Sequence, residues 1–71
     1  MRVKVLVPEE SLANRYPKRT IVTDIEVDDA SDVIEELEAP AGAWLIVFGD
    51  DRIWHYEASD GKWKFRSKVL V

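Results

Sequence analysis

The dipeptide Asp60-Gly61 constrains this chain more than any other feature. It sits between two runs, Arg52–Ser59 and Lys62–Val71, that are rich in β-branched and aromatic residues. Asp-Gly in that setting signals a two-residue β-hairpin, because both central positions of the favoured turn need positive φ. A turn of fixed length also fixes register. It sets Ser59 opposite Lys62, Ala58 opposite Trp63, Glu57 opposite Lys64, Tyr56 opposite Phe65, His55 opposite Arg66 and Trp54 opposite Ser67. Opposed residues share a face, and successive pairs alternate. One face then collects Trp54, Tyr56, Ala58, Trp63 and Phe65, which reads as core. The other collects Ile53, His55, Glu57, Lys64, Arg66 and Lys68, with Glu57 and Lys64 as a favourable ion pair.

The segment before it, "WLIVFGDDRIWHY" (Trp44 to Tyr56), extends the reasoning. If "GDDR" is a turn with an even loop, Val47 lies beside Trp54 and Leu45 beside Tyr56 on the core face. Phe48 then lies beside Ile53, Ile46 beside His55, and Trp44 near Glu57 on the far face. That face gains an apolar strip of Trp44, Ile46, Phe48 and Ile53, with a basic edge of Lys64, Arg66 and Lys68. Monomers seldom leave large apolar patches bare, and aromatic residues beside arginine are typical interface anchors. Two arrangements within the chain would instead bury the strip. The Pro8–Arg19 loop, carrying Leu12 and Tyr16, could fold over it, or an odd turn could make the third strand central.

The rest of the chain supplies the other layer. Arg2–Val7 alternates with Val3, Val5 and Val7 on one side, a short strand ended by Pro8. Pro8–Arg19 has no period and reads as a long loop, a length that often carries function. Thr20–Asp28 is a strand with Ile21, Thr23, Ile25 and Val27 on one face and Val22, Asp24, Glu26 and Asp28 on the other. Residues 29–38 read as a helix capped by Asp29, with Asp32 three residues on. Its apolar stripe is Ala30, Val33, Ile34 and Leu37, and Pro40 and Gly42 close it. So short a helix must pack on a sheet. The order β-β-α-β-β-β predicts a single α+β domain over residues 1–71, with one short helix on a mostly antiparallel sheet.

Composition narrows function. Seventy-one residues make one marginal domain. With no cysteine and one histidine, disulfides, thiolate zinc sites and multi-histidine metal sites are excluded. No apolar run is long enough to span a membrane, and no secretory leader is evident, so a cytoplasmic, non-membrane protein is expected. The net charge of −4 is unevenly spread, because residues 20–38 hold eight acids and no base. That balance disfavours nucleic acid as a partner.

No constellation here does chemistry. His55 has Ser59 and Ser67 nearby but no nucleophile elbow or oxyanion-type glycines, and it reads as a cross-strand residue. Gly42, Gly49 and Gly61 each mark a turn, not a phosphate loop. Asp24–Glu35 places oxygen side chains at calcium-loop positions 1, 3, 5, 9 and 12. It has Asp29 where the glycine is required, and a strand instead of a helix before it. No catalytic residue, metal or cofactor is therefore assigned.

Two binding surfaces remain. The first is the strip Trp44, Ile46, Phe48, Ile53 and His55, with Arg66 and Lys68 at its rim. It would meet a protein partner or a second copy in a homodimer. The second is an acidic surface of Asp24, Glu26, Asp28, Glu35 and Glu36, a row that could imitate a phosphate backbone and decoy a basic nucleic-acid-binding protein. A single-stranded nucleic-acid binder using Trp44, Phe48 and the basic edge is a weaker alternative. In size, layout and lack of catalytic residues the chain resembles the small accessory proteins that many phages and mobile elements encode. That resemblance implies a stoichiometric binder or inhibitor of a host protein and identifies no site.

Overall fold

Five antiparallel strands form one sheet, and a single short helix lies on one side of it. This is seen in a computed structural model that describes residues 1–9 and 18–71. The elements are β1 (Arg2–Pro8), β2 (Arg19–Glu26), α1 (Ala30–Ile34), β3 (Trp44–Phe48), β4 (Arg52–Ser59) and β5 (Lys62–Leu70). Spatial order is β2-β1-β3-β4-β5. β1 is antiparallel to both β2 and β3, so the α1 connection steps over β1 to reach a strand parallel to β2. The α+β layout holds, with β structure dominant and the helix minor.

The core follows from strand parity. Val3 and Val5 of β1 face Val47 and Leu45 of β3, and all four are buried against Ala30 of the helix. Val7, Ile25, Val27, Ile34, Leu37, Trp54, Tyr56 and Trp63 pack around them. Leu45 and Val3 are wholly inaccessible, so this layer supplies most of the apolar burial that a chain of this size can gather.

The helix is shorter than the expected 29–38. Asp29 is the N-cap and accepts from the Ser31 N–H at 3.0 Å, but regular helix ends at Ile34. The last turn carries no base, and Glu35, Glu36 and Glu38 oppose the negative end of the helix dipole. Pro40 then disfavours helical backbone at Ala39. A turn continues through Leu37, whose N–H reaches the Val33 carbonyl at 3.1 Å. The Leu37 carbonyl accepts from the Trp63 indole at 3.0 Å, which pins the end of the helix segment to β5.

Both hairpin turns have even loops. Gly49 N–H donates to the Arg52 carbonyl, and Asp60 and Gly61 take φ of 54° and 78°. The β3–β4 pairs are therefore those expected: Trp44 with Glu57, Leu45 with Tyr56, Ile46 with His55, Val47 with Trp54, and Phe48 with Ile53. The β4–β5 pairs hold from Ser59–Lys62 to Tyr56–Phe65, after which β5 carries one extra residue, Arg66. His55 therefore faces Ser67, not Arg66, and Trp54 faces Lys68, not Ser67. The bulge takes the Arg66 cation away from His55 and brings Val69 beside Ile53, an apolar match the unbulged register would lose.

A second bulge corrects β2. Thr23 pairs with Val5 and Ile21 with Leu6, leaving Val22 as the extra residue. Ile21 therefore points away from the helix, not into the core, and is 48% exposed. Phe65, expected in the core, is 54% exposed, because the truncated helix does not reach it. It keeps an edge-to-face contact with Tyr56, with ring centroids 5.8 Å apart.

Candidate functional site

The sheet face away from the helix can now be assembled residue by residue. β1 contributes Arg2, Lys4 and Leu6, because Val3, Val5 and Val7 take the core side. Pairing adds Glu26, Asp24 and Ile21 from β2, then Trp44, Ile46 and Phe48 from β3. β4 adds Ile53, His55 and Glu57, and β5 adds Lys64, Ser67 and Val69. Arg66 also reaches this side, with its Nε 3.3 Å from Glu57 Oε2. Lys68 does not: its partner Trp54 places it on the helix side, so it is no rim residue of this face. Trp44, Ile46, Phe48, Ile53 and His55 are thus brought together as expected.

The centre of the face is an ordered aromatic-cation stack. The Arg19 guanidinium lies over the Trp44 ring, its carbon 3.5 Å from the centroid. On the other flank His55 meets Trp44 edge to face at 5.1 Å and 75°. Lys4 places its ammonium 5.4 Å from the centre of the Phe48 ring. Cationic side chains thereby cover part of both aromatic surfaces, and the Arg19 Nε is buried against the ring with no hydrogen-bond partner among the described residues. Phe48 at 36% and Val69 at 56% exposure remain open to a partner. His55 Nε2 is buried among the described residues with no hydrogen-bond partner.

Charge is separated between the two layers. Asp28, Asp29, Asp32, Glu35, Glu36 and Glu38 cluster on the segment that forms the helix and its ends, where no base lies. The far face instead carries Arg2, Lys4, Arg19, Lys64 and Arg66 against Asp24, Glu26 and Glu57. Arg2 donates from Nε to Asp24 Oδ1 at 2.6 Å. That hydrogen bond, with the charge behind it, holds the Asp24 carboxyl below its usual range and raises the guanidinium correspondingly. Asp29 is lowered as well, first by the Ser31 hydroxyl and then by the Ser31 N–H.

The acidic residues do not make one surface. Asp24 and Glu26 lie on the far face beside Arg2, Asp28 follows the end of β2, and Glu35 and Glu36 belong to the opposite layer. A continuous phosphate-like row is therefore absent among them. No group of three metal-binding side chains gathers among the described residues, and no helix there is long and apolar enough to cross a membrane. The expected covering residues Leu12 and Tyr16 lie outside the described residues.

Sequence reasoning missed Arg19, Lys4 and Leu6. The β1 pair was signalled, since Lys4 and Leu6 must oppose Val3, Val5 and Val7. Arg19 carried no such signal, because it read as the end of a loop. Comparison with protein-family models, curated proteins and solved structures gives no match.

Proposed function

We propose that this is a non-enzymatic interaction module that binds another protein through the sheet face away from the helix. The observation that supports it is Trp44 fixed between Arg19 and His55 within a half-exposed strip of Ile46, Phe48, Ile53 and Val69. A rigid tryptophan with an arginine already stacked on it is ordered before binding, so little side-chain entropy is lost on contact. The excess of bases around the strip favours a partner with an acidic rim. The face is shallow, consistent with occlusion of a partner's surface and with an inhibitor. A cytoplasmic accessory protein of phage or mobile-element type fits this reading.

The test starts from any protein retained by the immobilised chain and measures its affinity for variants by calorimetry. Phe48→Lys should weaken binding about 30-fold or more, the loss of a central anchor of ~2 kcal/mol. Circular dichroism should stay unchanged. Glu35→Lys with Glu36→Lys should leave affinity within a few fold. The opposite pattern would transfer the contact to the acidic layer and the decoy reading.

A further inference from the structure

We infer that β5 is a dimerisation edge, pairing antiparallel with β5 of a second copy about a two-fold axis between Arg66 and Ser67. β5 ends the sheet, and among the described residues no strand lies beyond it. It is nine residues long and contains no proline, so no backbone donor is missing from its outer edge. It also gathers exposed apolar side chains: Phe65, Val69 and Leu70 lie on it, and Val71 follows it at 84% exposure.

The bulge selects the partner. In an added antiparallel strand, opposed residues must point to the same face. Within β5 the helix-side residues are Trp63, Phe65, Lys68 and Leu70, through their partners Ala58, Tyr56, Trp54 and Arg52. Lys62, Lys64, Ser67 and Val69 take the far side. This pattern is symmetric about the Arg66–Ser67 bond. A second copy reversed about that bond matches face with face on both sides of the bulge. An unbulged strand reversed about a bond would set opposite faces against each other.

Backbone polarity fits the same register. Val71 N–H donates inward to the Asp51 carbonyl at 2.9 Å, so by alternation Leu70 and Lys68 turn their backbone groups outward. At the hairpin end Lys62 closes the two-residue turn, so Trp63 and Phe65 face outward. The outward set is again symmetric, and it forms the hydrogen-bonded pairs Trp63 with Leu70 and Phe65 with Lys68 of the second copy.

Charge weakens this register less than it would a random one. β5 carries four bases and no acid, so a random edge contact would be repulsive. About this axis, however, Lys62 faces Val71, Lys64 faces Val69, Arg66 faces Ser67 and Lys68 faces Phe65. No two bases are directly opposed, and Arg66 keeps its own Glu57. The long apolar stems of the lysines lie along the exposed valines and Phe65. The product is a continuous ten-stranded sheet with both helices on one side and two copies of the Trp44 face on the other.

The test is solution mass by light scattering over a concentration series, together with a register-specific cross-link. A mass twice that of the chain is expected at high concentration, growing with added salt as repulsion between the basic edges is screened. Lys68→Pro should give a folded monomer, because it removes only an outward N–H on an edge strand. Phe48→Lys should leave the dimer intact. The chain has no cysteine, so Lys64→Cys with Val69→Cys should yield a covalent dimer under mild oxidation. That pair is non-hydrogen-bonded, with Cα atoms about 4.5 Å apart, within disulfide reach. Lys62→Cys with Val69→Cys, out of register, should not cross-link. A monomer at every concentration overturns the inference. So does a dimer that survives Lys68→Pro but dissolves with Phe48→Lys, or equal cross-linking by both cysteine pairs. Binding of an acidic extended peptide in place of a second copy, with no self-association, overturns it as well.

Discussion

The guanidinium carbon of Arg19 sits 3.5 Å above the Trp44 ring, joining the first residue of β2 to the first residue of β3 across the intervening strand β1. The contact ties an edge strand to the centre of the sheet. Arg19→Met keeps the apolar stem and removes the charge. It should cost about 1–2 kcal/mol, the range for a cation over a partly buried aromatic ring. Urea denaturation checks this. The Trp44 indole resonance should shift in the variant while those of Trp54 and Trp63 stay in place. If all three move together, the contact is instead holding the whole sheet.

Gly49 and Gly61 both lie at hairpin turns, yet they resist alanine for different reasons. A Cβ at Gly49 would come within 2.8 Å of the Trp54 ring, a clash with a rigid group. At Gly61 the space is empty, and the obstacle is a φ of 78°. Gly49→Ala should cost about 1–3 kcal/mol through overpacking. Gly61→Ala should cost about 1–2 kcal/mol through left-handed backbone strain. Trp54→Phe should partly rescue the first and leave the second unchanged, which a double-mutant cycle in urea would read.

The β3–β4 register was legible because two even turns fix parity at both ends of β4, and turn length is written in "GDDR" and "SDGK". Legibility stopped at the bulges. Nothing local distinguishes Arg66 or Val22 as an extra residue. Their placement depends on which apolar side chain lies across the ladder, Val69 beside Ile53 and Ile21 beside Leu6. One unseen residue moved Lys68 from the candidate site to the other side of the sheet. Strand order was hidden for a related reason, since insertion of β1 between β2 and β3 depends on how the short helix crosses. The five residues of the proposed strip were recovered together because all lie on β3 and β4, where the register carries no bulge. Arg19 was not, because its role depends wholly on that crossing.

Acid should weaken the fold through two carboxylates in particular. Asp24 and Asp29 are both held below their ordinary value of 3.8, by Arg2 and by Ser31 respectively. A depressed folded-state pKa means that the folded chain binds fewer protons than the unfolded one. Each group's contribution is therefore complete above that ordinary value and is lost as pH falls through the lower, folded one. Asp29→Asn retains an acceptor for the Ser31 N–H but cannot titrate. With Asp24→Asn it should lower the melting temperature at neutral pH and flatten the decline below pH ~4. Thermal melts of the wild type and the double variant across the acid range should converge at the lowest pH. Curves that stay parallel would exclude these two groups as the source.

The Trp63 indole and the Leu37 carbonyl make the one side-chain hydrogen bond among the described residues that fastens the helix segment to β5. Because regular helix already ends at Ile34, this bond takes the place of the packing that a longer helix would provide. Trp63→Phe keeps most of the apolar contact and removes the donor. It should cost about 1 kcal/mol, somewhat more if water cannot reach the abandoned carbonyl. The loss should also be local. Amide exchange should accelerate at Glu36 and Leu37, whose N–H groups donate to Val33, while Leu45 and Val47 in the central strand keep their protection. A uniform loss of protection would mean that the helix segment and the sheet open as one unit. Trp63 would then hold the whole two-layer structure together.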